Sequence, residues 1–462
     1  MNLSRNTYFP SPQPHPLGLE PEKLTERVIA KALKLGATDA VVEVYIGRER
    51  RIKFANNEIA VFEERDERSV DIFVAIRERR AEISVNGLNV KHVDEAVKQA
   101  IQLTRLSSPA DIYAPLPKGP FRYDERLLKA YRIRGYPDRL VDAVEAAINA
   151  ALAEGAERAA GTLIYSTGKT WLRTSGGAYG EAEDSSIEIS IRAMASNGGS
   201  GHFVSIAARE EDFNPEEAGR IAGEHARLSR NPVELKPGEY EVILGPMTFA
   251  NIVEEVGEAA SAFHIDSGLS FLADKLDKEV ASKIFTLIDD PTIPGTYGAS
   301  PFDDEGLPTR RNTIIEEGVL KTYLHNSTTA KKFNTKSTAN AGLIVPQPFN
   351  LIVEARGGES LEKLISDIDD GVYITNDWYL RYHNYQTGDF STIPRDAILR
   401  IRKGGIDGAV KNIRISDNFI RLLKNIRRIG EKRYWISWWE VETPVHAPHA
   451  LIDRLNLTKP HS

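Results

Sequence analysis

There is no cysteine anywhere in the 462 residues of this chain. That absence excludes disulfides, thiolate metal sites and thiol nucleophiles. Nor does any apolar run approach the ~20 residues that a helix needs to span a bilayer. The opening residues 1–23, MNLSRNTYFPSPQPHPLGLEPEK, hold no apolar core of the secretory kind, so the cytoplasm is the expected compartment and no membrane partner is expected. A net excess of positive charge is also absent: the net charge of −7 argues against nucleic acid as a partner, since phosphate binding needs a basic footprint. The basic runs at 48–53 (RERRIK) and 77–80 (RERR) read as solvated faces of a twisted sheet. A GxSxG elbow, a phosphate loop and a GxGxxG fingerprint are all missing. The serine in GGSGHF (198–203) reads as part of a hairpin turn. Only three methionines, set against abundant Arg, Glu, Lys and Ile, hint at a thermophilic source.

What is present is an ordinary globular balance, 41% hydrophobic and 27% charged, with length for two or three domains. Residues 1–20 form a Pro-rich arm. From Pro21 a helix is predicted, with Leu24, Val28, Ile29, Ala32 and Leu33 in one stripe. Period-two alternation then runs from Ala40 to Gly87, cut by Asn56-Asn57 and Asn86-Gly87, the pattern of an antiparallel meander. A helix over about 91–106, a Pro-rich linker over 107–123 and a helix over 140–152 follow. A second meander and a helix over 215–229 repeat the theme, and a partial internal duplication is possible. The stretch NPVELKPG (231–238) marks the domain boundary, giving an N-terminal domain over 21–232 and a β-rich one over 233–462.

Beyond that boundary strands are predicted at 284–288, 313–324, 350–355, 371–375, 397–403, 409–416 and 449–457. Helices are predicted at 249–262, 360–368 and 417–427. Strand runs with helices set apart imply an α+β fold: a helix-plus-meander domain followed by a barrel- or sandwich-like one.

The segment 238–342 carries the most information. A strand signal, Tyr240–Leu244, leads through Gly245-Pro246 into a helix whose Phe249, Ile252, Val253, Val256 and Ala260 share one face, with Glu254, Glu255 and Glu258 on the other. FDDEG (302–306) and STANAG (337–342) follow. Farther on come GVYITN (371–376), TGDFS (387–391) and VKNIRISDNFIRLLKNIRRIG (410–430). Together these segments resemble the TldD/PmbA, or modulator of gyrase, family. That resemblance implies a two-part α+β chain in a family of zinc metallopeptidases. Its active members carry HExxxH on this helix and a cysteine near the C-terminus. Registered on Gly257, the motif's histidines fall at Val253 and Glu258 and its glutamate at Glu254. The chain is therefore similar to the TldE/PmbA kind, without the zinc motif. Two further segments depart from the pattern: TNDWYLRYHNYQTGDFS (375–391) and a C-terminal region with Trp435, Trp438 and Trp439 in place of the cysteine turn.

Three constellations have two readings each. Glu254, Glu258 and His264 are a conceivable surrogate metal site, although glutamates at i, i+4 usually mark a solvated helix face. His446 and His449 in HAPH are separated by Pro448, which breaks a helix, so a polar surface turn is the plainer reading. Asp303, Asp304 and Glu305, with Asp289 and Asp290, form either a paired-carboxylate site or an acidic turn closed by Gly306.

The sequence thus predicts no catalytic, cofactor-binding or metal residue in this chain, with zinc expected in a partner subunit. The partner implied by the resemblance is an HExxxH-bearing paralogue, or a second copy in a homodimer. Unfolded peptide is the implied substrate of the complex. An independent homodimeric peptide-binding scaffold and a peptidase with an atypical Glu/His site are the alternatives. The three tryptophans suggest an apolar surface that a dimer would cover.

Overall fold

The computed structural model describes residues 19–130 and 138–459. Of the Pro-rich arm only Leu19 and Glu20 lie within the described residues, so the arm itself lies outside them.

The first part runs αβββα twice. The elements are α1 (Pro21–Lys34), β1 (Asp39–Ala55), β2 (Glu58–Ile76), β3 (Arg79–Asn86) and α2 (Val90–Leu106). Then come α3 (Leu140–Ala153), β4 (Arg158–Thr174), β5 (Tyr179–Ala195), β6 (Gly199–Ala207) and α4 (Pro215–Leu228). All six strands join one antiparallel sheet in the order β3-β2-β1-β4-β5-β6, so the two units meet at the β1–β4 pair. Gly47 faces Gly168 in that pair, and the Tyr45 ring occupies the space where either would carry a Cβ. The β1–β2 turn uses Asn56 and Asn57 at φ 50° and 70°, the conformation of a two-residue hairpin whose twist matches its strands. The turn expected at 198–203 falls earlier, at 196–198, and Ser200 lies inside β6. One helix pair, α1 and α2, closes a separate core over Val42, Val44, Val70 and Ile72. The core under α3 and α4 is instead continuous with that of the second part.

In the second part come β7 (Val233–Glu234), β8 (Gly238–Leu244), α5 (Pro246–Ala259), α6 (Ala262–Asp266), β9 (Leu287–Asp289), β10 (Asn312–Glu316), β11 (Val319–Leu320), α7 (Ser327–Lys332), β12 (Leu351–Val353) and α8 (Leu361–Ser366). They are followed by β13 (Asp370–Asn384), β14 (Asp389–Arg402), β15 (Gly405–Lys411), β16 (Arg414–Asn418), α9 (Phe419–Lys424), β17 (Ile426–Trp438) and β18 (Val441–Thr458). The fold is α+β, with a large mixed sheet. Its hydrogen-bond path β18-β8-β13-β14-β16 returns to β18, so five strands close into a ring. β18 also pairs with β12 and β17, so it borders four strands of this sheet.

Several sequence expectations are corrected here. The helix expected at 417–427 shrinks to α9, because Asn418 caps it at Ile420 and Arg421 and the chain turns extended again at Ile426. The strand expected at 313–324 is broken at Glu317-Gly318, both at positive φ. β17 was not among the expected strands. Its charged stretch 427–433 borders solvent, which hides the alternation. HAPH is not a surface turn either: it lies within β18. Pro448 pairs with Arg433 at the edge of a register shift against β17, between the segments of β18 paired with β12 and β8, the kind of place where a strand tolerates proline. Among the described residues, no helix is long and apolar enough to cross a membrane.

Candidate functional site

Helix α5 positions the residues on which function turns. Gly245 and Pro246 start it, Pro246 in the first turn where its missing N–H costs nothing. Phe249, Ile252, Val253 and Val256 enter the main core as the spacing predicts, each 0% exposed. Val253 is thus hydrocarbon sealed in hydrocarbon at a position that the resemblance assigns to a zinc ligand.

Glu254 does not lie on a solvated face, contrary to expectation. It is 7% exposed, and the Thr443 N–H at the start of β18 donates to its Oε1 at 2.5 Å. The carboxylate thus ties α5 to the strand beside it. Burial lifts its pKa to about 8, helped by Glu258 and Glu255 and opposed by the Thr443 hydrogen bond. Burial likewise lifts Glu255 to about 7, and Glu258, at the exposed rim of the helix, is raised by partial desolvation. His264 Nδ1 engages the Glu258 backbone carbonyl at 3.0 Å, not the Glu254 carboxylate. Among the described residues no group of three or more His, Cys, Asp or Glu converges as a metal site. A valine, a carboxylate committed to backbone and a rim glutamate do not fit a zinc ion.

The Glu254 shift has a sign that can be tested. A folded pKa above the unfolded value stabilises the fold below about pH 4.5, and that stability is lost as pH rises through about 8. Glu254→Gln, which keeps an acceptor for Thr443 but cannot ionise, should flatten this dependence. Above pH 8 the variant should be more stable than the native chain by at least about 1 kcal/mol. Parallel denaturant titrations at pH 5 and pH 9 measure it; equal losses in both proteins would show that Glu254 is not desolvated.

Of the remaining acidic residues, Asp303, Glu305 and Asp289 are engaged by backbone N–H groups. Asp303 Oδ1 accepts the N–H groups of Glu305 and Leu307 at 3.1 and 2.9 Å, and its Oδ2 accepts that of Ala341 at 3.1 Å. Gly306 closes the turn at φ 79°, the acidic-turn reading of FDDEG. Glu305 holds Ser327 at the start of α7 through its N–H and hydroxyl. Asp289 Oδ1 receives the N–H groups of Phe349 and Asn350. Asp304 faces a cavity of about 230 Å³ with Glu43; burial lifts Glu43 to about 7 and Asp304 well above the carboxylate range.

His446 and His449 diverge. The His446 ring stacks on Trp435 at 4.5 Å, whereas His449 Nε2 meets the Tyr373 hydroxyl at 3.1 Å. Burial holds both imidazoles well below their usual pKa, to about 4 and about 3.

Sequence reasoning missed one neighbourhood beside α5. The two-residue tip of the β17–β18 hairpin, Trp439-Glu440, meets an irregular stretch of β13 at Trp378–Tyr379. Glu440 Oε1 accepts the Tyr379 N–H at 3.1 Å, and Trp439 packs edge-on against Trp378 at 5.3 Å. The residues stand some sixty positions apart in the chain, so only the strand register brings them together. Of the three tryptophans expected on the surface, Trp438 is buried and Trp439 is exposed.

Comparison with known proteins decides the lineage. The PmbA/TldA metallopeptidase central domain matches residues 135–230, and the PmbA/TldA metallopeptidase C-terminal domain matches residues 237–459. The chain belongs to the PmbA/TldD family. A metalloprotease of Methanothermobacter thermautotrophicus is 32% identical over 269 residues, covering 54% of this chain and 57% of its own. A PmbA homologue of Haemophilus influenzae is 26% identical over 377 residues, covering 79% and 81%. The chain spans about half the length of the first curated PmbA/TldD relatives it matches. TldE from Thermococcus kodakarensis superposes with a TM-score of 0.82 at 23% identity, covering 94% of this chain and 100% of that one. A Thermotoga maritima protein assigned as a modulator of a DNA gyrase superposes with a TM-score of 0.79 at 26% identity, covering 95% and 100%. The fold is that of the PmbA/TldD proteins.

Proposed function

We propose that this chain is the non-catalytic, TldE-like subunit of a cytoplasmic zinc metallopeptidase complex that processes short unfolded peptides. Its partner would be an HExxxH-bearing paralogue that holds the zinc. The observation that carries this reading is the state of α5: Val253 is sealed in the core and Glu254 is committed to the backbone of β18. The family membership supports it, as does the likeness in fold to a protein named TldE.

A second observation favours peptide handling. β3 pairs only with Ser69–Ile76 of β2, so the outer edge of β2 over 58–68 has no neighbouring strand among the described residues. Ile59, Val61 and Phe62 are exposed there. An unpaired edge is a template for an extended chain, recognised through its backbone whatever its side chains.

The test is a reconstituted pair. Glu254→Gln and Glu258→Gln in this chain should leave peptide hydrolysis within about twofold, since neither carboxylate would move a proton. Neutralising a general base costs ~10²-fold or more. A loss of that size in Glu254→Gln, with dimer and fold intact, would mean that this chain carries chemistry itself.

A further inference from the structure

The hairpin tip beside α5 has no part in the scaffold role, yet its composition is unusual for a surface. Trp439 is 56% exposed and Tyr379 43% exposed, side by side with ring centroids 6.0 Å apart. Tyr379 holds φ at 59°, a left-handed conformation that a bulky residue rarely adopts and that costs energy unless the surroundings impose it. Glu440 imposes it here by receiving the Tyr379 N–H. Two large rings are thus held outward where a plain strand would turn one of them in.

The charge around these rings is one-sided. The hairpin that carries Glu440 and Glu442 borders the acidic side of α5, where the Thr443 N–H donates to Glu254. Carboxylate repulsion reaches across the gap, Glu255 feeling Glu440 and Glu258 feeling Glu442. Against them stand Arg381, which acts on Glu255, and His264, which acts on Glu258. None of the five carboxylates forms an ion pair among the described residues. Beneath the tip Asp377, 0% exposed, accepts from Asn251 of α5 and Thr392 of β14 through Oδ2, and burial lifts its pKa to about 7. The negative charge at the tip thus rests on Glu440 and Glu442, which no ion pair offsets among the described residues, while burial favours the neutral form of Glu254 and Glu255 behind them.

The cluster already accepts cations on its rings. The guanidinium groups of Arg192 and Arg395 lie 4.3 and 5.1 Å from the Trp378 ring centroid. Arg381 lies 5.8 Å from the Tyr379 ring centroid, and Trp439 is the exposed ring over which no lysine or arginine lies among the described residues. A small hard metal ion is a poor occupant, because among the described residues no three ligands converge. An organic cation suits the place better, since it gains from ring faces and from several carboxylates at once.

We propose that Tyr379 and Trp439, with the carboxylates of Glu440 and Glu442, bind the positively charged side chain of a basic, extended peptide. This deepens the peptide-handling reading and rests on it: it names the class of peptide preferred. The tip adjoins α5, so a peptide held there runs past the helix that carries zinc in the active members.

The experiment titrates the full chain with an unstructured lysine-bearing peptide and with the same peptide acetylated at its amino groups, by calorimetry at low and high salt. The lysine peptide should bind about tenfold more tightly, with the advantage shrinking as salt screens the carboxylates. Trp439→Ala and the double variant Glu440→Gln/Glu442→Gln should each erase most of that advantage while circular dichroism stays unchanged. Glutamine at 440 still accepts the Tyr379 N–H, so the fold has no reason to fail. Equal binding of the two peptides overturns the cation site and leaves peptide handling standing. Binding of neither overturns both. An advantage that survives in both variants shows that the cation binds elsewhere and overturns this assignment.

Discussion

Asp303→Ala should lower the stability of the chain by about 3–5 kcal/mol, measured by reversible denaturant unfolding. Three backbone N–H groups, those of Glu305, Leu307 and Ala341, lose their acceptor together, and Asp303 is 0% exposed. Each buried donor left unpaired costs ~1–3 kcal/mol, reduced where water can enter. Asp303→Asn should cost less, about 1–2 kcal/mol, because one carbonyl oxygen survives while the new amide opposes the Ala341 N–H. This ordering separates the two readings of FDDEG. A residue serving acid–base chemistry would lose activity in the reconstituted pair and keep its stability. A residue organising a turn should do the reverse, and a loss under about 1 kcal/mol in the alanine variant would reject the turn role.

Val253→His should be nearly as damaging, at about 2–4 kcal/mol. It replaces a fully buried isopropyl group with a larger ring whose two nitrogens have no partner in the surrounding core. The double variant Val253→His/Glu258→His rebuilds the letters of HExxxH around Glu254. It should still take up no stoichiometric zinc, because the imidazole at 253 points into hydrocarbon and no cysteine is available. Metal analysis of the purified variant, together with its unfolding midpoint, reads both effects. One tightly bound zinc per chain with unchanged stability would show that the helix is a dormant metal site and not a core element.

Legibility in the sequence followed the physics of each element. The apolar face of α5, Asn56-Asn57 and the acidic turn were legible, because period, turn residues and capping are local. The fate of Glu254 was not. Nothing in the helix says that Thr443, 189 residues later, presents an N–H to it. β17 escaped for a similar reason: its charged outer positions are paid no penalty by solvent, and only β18 makes it a strand. HAPH misled because proline normally excludes a strand, and the register shift that excuses Pro448 is a tertiary fact. The aromatic tip was visible as odd residues at 375–391 and 435–439, but not as one place.

The ring of strands has a bearing on how the chain comes into being. β8 ends at Leu244, yet its antiparallel neighbour begins almost two hundred residues later. During synthesis β8 would wait beside β13 with one side open until β18 had emerged. Pairings of such sequence separation close slowly, since the loop entropy is lost before any contact repays it. Until then the strands that β18 will join are bare edges, the surfaces through which nascent chains stick to one another. Expression yield should therefore depend on intact residues 441–458 far more than the modest size of that segment suggests.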